Sequence, residues 1–120
     1  MKNLVASSVI LIMVTGCGGA TITQQVAQLE AAFTSSVSLI NDARRPCKLQ
    51  GEDAPGCLIK ADTYTKIAPI VHGADNALDK AKDFANTNQT DQAKTWLDVV
   101  RSYLGNLDNY LDPIRKVLGV

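Results

Sequence analysis

Apolar positions recur along this chain at three- and four-residue steps in three blocks. In the first, Ile22, Val26, Leu29, Phe33, Val37 and Ile40 fall on one side of a helix. In the second, Ile67, Ile70, Val71, Ala74, Leu78, Ala81 and Phe84 draw a narrower stripe, rich in alanine. The third block is the most regular. Leu97, Val100, Leu104, Leu107, Leu111, Ile114 and Leu118 alternate steps of three and four without a break, and Trp96, Tyr103, Tyr110 and Val117 run beside them at seven-residue intervals. That wide apolar face is what a core-facing bundle helix needs. No useful stretch alternates with the period of two that a half-buried strand requires. Runs of about 22, 28 and 28 residues with short turns predict an all-α fold, an antiparallel three-helix bundle over residues 22–120, ~35–40 Å long.

The breaks in the pattern set the expected boundaries. Pro46 and the loop after it should end the first helix. Pro69 and Gly73 fall inside the second block and predict a kink or a fresh start there. Asn86-Thr87-Asn88-Gln89 interrupts the periodicity, with Thr90 placed as an N-cap and Asp91 in the first turn of the third helix. Asp112-Pro113 predicts a bend near the end of that helix, and Gly119 is placed for a C-cap.

Ahead of the first block the pattern changes character. Lys2 is followed by an eleven-residue, uncharged and mainly apolar run over residues 4–14, LVASSVILIMV. A membrane-spanning helix needs about 20 such residues, so this run is too short to span and fits the apolar region of a signal peptide. Val14-Thr15-Gly16-Cys17 closes it: an aliphatic residue, two small ones and a cysteine. This tetrapeptide resembles the lipobox of bacterial lipoproteins. The resemblance covers about twenty residues and implies cleavage after residue 16, a diacylglyceryl group on the Cys17 thiol, and membrane lipid as the first partner. Two or three acyl chains anchor stably where one does not, at ~0.8 kcal/mol per buried CH₂. Residues 17–21 are then a short tether with a reach of ~14–18 Å, which keeps the bundle near the membrane. Gly18 stands where lipoproteins retained at the inner membrane carry an Asp, so the resemblance implies an outer-membrane address facing the periplasm. The competing readings are an ordinary signal peptide cut near Ala20 and a retained N-terminal anchor.

Three cysteines less Cys17 leave Cys47 and Cys57. An even number in an exported chain implies a disulfide. The pair brackets a stretch with two glycines, a proline and two acids, so it predicts a stapled surface loop between the first and second helices. Closing about eleven residues is worth ~3 kcal/mol at most in the chain-entropy account.

Composition narrows the function classes. Twelve basic and twelve acidic side chains give a formal net charge of zero, with no bulk field for nucleic acid. The single histidine, His72, has no cysteine, glutamate or second histidine at helical spacing, and Asp75 alone beside it points to no catalysis. Asp75, Asp79 and Asp83 share a helical face with Lys80 and Lys82 interleaved, which reads as a solvated surface. Asn88-Gln89-Thr90 fits an N-glycosylation tripeptide but reads more simply as a loop and helix cap. These patterns call for no enzyme, no cofactor and no metal.

Two surfaces compete as partner-binding sites. Trp96, Tyr103 and Tyr110 form either an exposed aromatic ridge or the edge of the core with polar tips in water. Glu52 and Asp53 lie at the tip of the stapled loop, near Leu49 and Leu58, as a rigid recognition hairpin. Arg44 and Arg45 just before it are placed to meet lipid headgroups or to cap the helix C-terminus. The leading expectation is a non-enzymatic, lipid-anchored envelope protein that binds a membrane-proximal partner, concentrated there by its tether. By analogy of size and address it is similar to phage and prophage lipoproteins that mask receptors, or to toxin-immunity lipoproteins. A self-associating structural lipoprotein, with the third heptad as oligomer seam, is the alternative from another class.

Overall fold

A computed structural model describes residues 21–120; the expected signal peptide, most of the tether and Cys17 lie outside the described residues. Three helices follow in order: α1, Ile22–Gln50; α2, Ala61–Asn86; and α3, Thr90–Leu118. They pack as a three-helix bundle, with α1 and α3 running together and α2 antiparallel to both. The bundle measures 49 × 31 × 19 Å, longer than the apolar stripes alone imply, because each helix outruns its stripe.

Thr21 starts α1. Its side chain accepts the Gln24 N–H at 3.1 Å, while the Gln24 side chain accepts the Thr21 N–H at 3.0 Å, a reciprocal capping box. Pro46 does not end the helix as its residue type suggests. α1 continues through it to Gln50, because the turn after the proline is tied from outside. The Leu58 N–H reaches the Ala43 carbonyl at 3.3 Å, and Cys47 is bonded to Cys57. Gly51, at φ +95°, stops the helix, its N–H on the Cys47 carbonyl at 3.0 Å.

Pro69 likewise neither splits nor restarts the second element, since α2 is one helix from Ala61. Pro69 lies on the exposed side, where water can take up the carbonyl that loses its partner. Pro113 is also exposed, and α3 runs on through it. Thr90 is the first residue of α3 rather than its cap. Gln89 holds the cap position without a side-chain bond to the helix, its amide donating instead to Thr87 Oγ1 at 2.9 Å, and it follows Asn88 at φ +60°. Gly119 ends α3 in the left-handed conformation at φ +72°, as its placement predicts.

The core has two clusters. Val26, Leu29, Ala77, Leu78, Ala81, Leu97 and Val100 fill the half near Thr21. Ile40, Ala43, Ile59, Ile67, Leu107, Leu111 and Ile114 fill the other, and Leu104 touches both. α2 and α3 make the closest pair. Ala74, Ala77 and Ala81 are fully buried and let the backbones approach, and Gly73 takes this furthest. A Cβ at Gly73 would stand 2.4 Å from Cζ of Tyr103, so the tyrosine ring lies directly on the α2 backbone. Val117, expected on the apolar face, is 71% exposed, because α3 ends where the bundle has no further neighbour for it.

Candidate functional site

The helices divide the molecule into two ends. Thr21, Ile22, Asn88 and Thr90 meet at one, which we call the tether end. The last turns of α1 and α3, the first turn of α2 and residues 51–60 form the loop end. The large apolar side chains that stand exposed among the described residues all lie at the loop end: Leu49, Tyr64, Val117, Leu118 and Val120.

The loop lies at the surface as expected, with residues 51–53, 55 and 56 exposed, but its second arm turns inward at Cys57 and Ile59. Cys47 sits in the last turn of α1, and both it and Cys57 are buried, with Cα atoms 4.6 Å apart. The staple is therefore a core contact, not the surface clip expected from its polar surroundings. It brings Ile59, fully buried, into the second cluster. Sequence reasoning missed Ile59 because Leu58-Ile59, an isolated apolar pair after a glycine- and proline-rich stretch, shows no helical period.

Arg44 holds this arrangement. Its Nη1 donates to the Ile59 carbonyl at 3.1 Å, its guanidinium lies 4.8 Å from the centroid of the Tyr64 ring, and its side chain is only 15% exposed. Its Nε is buried with no hydrogen-bond partner among the described residues. Glu52 turns back from the loop, accepts the Ala61 N–H at 2.8 Å and stands 4.0 Å from Arg44 Nη1. The N-cap residue Lys60 has no side-chain bond of its own, so Glu52 supplies the capping acceptor, in addition to Asp62 in the first turn of α2. Both acids of the loop tip are exposed, but Glu52 is occupied in holding the fold.

Beside this clamp opens a cleft of about 270 Å³, lined by Asn41, Arg44, Arg45, Lys48, Leu49 and Tyr64. Asn41, Arg45 and Lys48 share one face of α1 by their spacing. Arg45 meets only the exposed Asp42, at 3.2 Å, and Lys48 has no partner among the described residues.

The aromatic column is not a ridge. Trp96, Tyr103 and Tyr110 are all half-buried; Trp96 and Tyr103 border the first cluster and Tyr110 the second. Lys80 of α2 places its ammonium 5.1 Å from the Trp96 ring centroid. Trp96 and Tyr103 thus face α2, through Lys80 and Gly73. His72 is exposed. The described residues bring together no three His, Cys, Asp or Glu side chains able to hold a metal, and none of their helices is long and apolar enough to cross a membrane.

The outer face of α1 is unlike the other two. From Ile22 to Asn41 it carries one ionisable residue, Glu30, which is bonded to Lys82 of α2. Ala27, Ala31, Thr34, Ser35, Ser38 and Leu39 border an open groove of about 940 Å³ that Arg115 and Val120 of the α3 end close on one side. Set against protein-family models, curated proteins and solved structures, the chain matches none of them.

Proposed function

We propose that this protein is a non-enzymatic, lipid-anchored envelope protein that presents its loop end to a membrane-proximal partner. The observation that carries the reading is the tetrapeptide Val14-Thr15-Gly16-Cys17, followed after only Gly18, Gly19 and Ala20 by Thr21, the N-cap of α1. Acylation of Cys17 would fix the tether end within ~14–18 Å of the bilayer. Helices of 29 residues are about 43 Å long. An upright bundle then carries the stapled loop and the exposed apolar residues well beyond the headgroups, while a purely soluble domain has no use for such a tether.

The seam alternative is less favoured. Leu97, Val100, Leu107 and Leu111 of α3 are fully buried within the chain, which leaves only the end of the heptad, at Leu118, exposed to a second copy.

The test is the mass of the mature N-terminus, read by mass spectrometry of the full chain from envelopes, with palmitate labelling of wild type and Cys17→Ala. Loss of residues 1–16 with acyl chains on Cys17, and no label in the variant, is the expected result. An unacylated N-terminus near Thr21, or an intact Met1, would overturn the anchor.

A further inference from the structure

We propose that the cleft between the last turns of α1 and the first turn of α2 binds an acidic peptide segment, one carboxylate with a neighbouring apolar side chain, on the partner. The inference rests on the anchored reading above for which end faces away from the membrane. The site itself is argued from the cleft.

Three cations converge there from two turns of one helix. Arg44 is fixed before any ligand arrives, held by the Ile59 carbonyl, by the Tyr64 ring and by the buried disulfide behind them. A guanidinium already ordered loses little freedom on binding, and it is the group best matched to a carboxylate. The chain supplies its own precedent, since the Glu52 carboxylate approaches the same guanidinium from the loop side. Arg45 and Lys48 stand on the open side with little or no compensation, and they complement a negative ligand there.

Charge alone would fit inorganic phosphate as well. The apolar wall decides the class. Leu49, 76% exposed, and Tyr64 border the same cleft, so a ligand that satisfies it carries an aliphatic or aromatic side chain beside its acid. Cations at the end of α1 also complement the helix dipole, which accounts for Lys48 but not for the exposed leucine or for Arg44 turned toward α2.

The test uses the full chain, purified with its own N-terminus in neutral detergent, and fluorescence anisotropy of a labelled peptide Gly-Asp-Leu-Glu-Leu-Gly. The expected result is binding at least tenfold tighter than to the same peptide with Asn and Gln in place of the acids. The gap should close with added salt. Arg45→Glu combined with Lys48→Glu should weaken it at least tenfold, Leu49→Ala severalfold, and Arg101→Glu on α3 not at all. Both cleft cations are exposed, and circular dichroism checks that the double variant stays helical. Equal binding of the acidic and amide peptides would overturn the proposal. So would saturation of the cleft by inorganic phosphate, or by vesicles with anionic lipid, where the peptide fails to bind. Acylation of Cys17 is read separately, so a failed titration with an intact anchor removes the cleft and leaves the anchored reading standing.

Discussion

The α2–α3 hairpin and the α1–loop unit solve the same packing problem by different means. α2 and α3 are joined by a short turn at residues 87–89 and interlock along their length through small residues, with Gly73 under the Tyr103 ring at the closest point. Their outer faces carry the charges. α1 has a ten-residue connection to α2 and a weaker contact with the pair, and from Ile22 to Asn41 its outer face is nearly uncharged. Polar and covalent clips hold it instead: the disulfide, Arg44 on Ile59, Glu52 on the start of α2, and Glu30 with Lys82. The contrast teaches that close backbone approach substitutes for staples where the sequence is small and apolar, and that staples appear where it is not.

The strongest way to break the hairpin is to fill Gly73. Gly73→Leu forces the Tyr103 ring off α2 and should cost about 3 kcal/mol, read from the urea midpoint at unchanged slope. Tyr103→Ala in the same chain should restore part of that loss, because the obstacle is one side chain. Removing the staple tests the other unit. Cys47→Ala with Cys57→Ala, or reduction of the native bond, should cost about 2–3 kcal/mol. Hydrogen exchange should then quicken first in the last turns of α1 and the first turn of α2, with the α2–α3 pair protected longest.

Smaller effects sharpen the comparison. Glu52→Ala removes the borrowed cap of α2 and should lower stability by about 1 kcal/mol, while Asp53→Ala next to it should change little. The Glu30–Lys82 pair should show in the pH dependence. Hydrogen bonding to the Glu30 carboxylate raises the Lys82 pKa above its ordinary value of 10.5, burial opposes the rise, and the charge of Glu30 adds to it. The folded-state pKa is the higher one, so this contribution is complete below pH 10.5 and is lost as pH rises through the folded value. Both side chains are more than a third exposed, so Glu30→Gln should cost less than about 1 kcal/mol at neutral pH, and the gap from wild type should close in strong base.

The three helices were legible because each stripe is long and regular, and the bridge because two cysteines remained to pair. Thr21-x-x-Gln24 carries a readable capping signal that the apolar pattern alone passes over. Pro46 misled because a proline rule is local, while the turn after it is held by contacts distant in sequence; at Pro69, where a kink or a restart was expected, the continuous helix excludes the restart. The aromatic column stayed ambiguous because seven-residue spacing names a helix face without saying what lies opposite, and Gly73 settles that for Tyr103 only in three dimensions. Arg44 was out of reach on the same grounds. Its partners are a carbonyl fifteen residues away and a ring twenty residues away, brought to it by the staple.

These two units also set the orientation on which the proposed function depends, with α1 starting at Thr21 and its stapled end at the opposite end of the bundle. The most direct measurement places a photo-crosslinking residue at Leu49, at the loop end, or at Thr23, near the tether, in otherwise native protein in intact envelopes. The account predicts a discrete protein adduct from position 49, lost when Cys17→Ala frees the chain, and lipid adducts from position 23. A protein adduct from position 23 alone, or a position 49 adduct that persists undiminished in the Cys17→Ala chain, would contradict it.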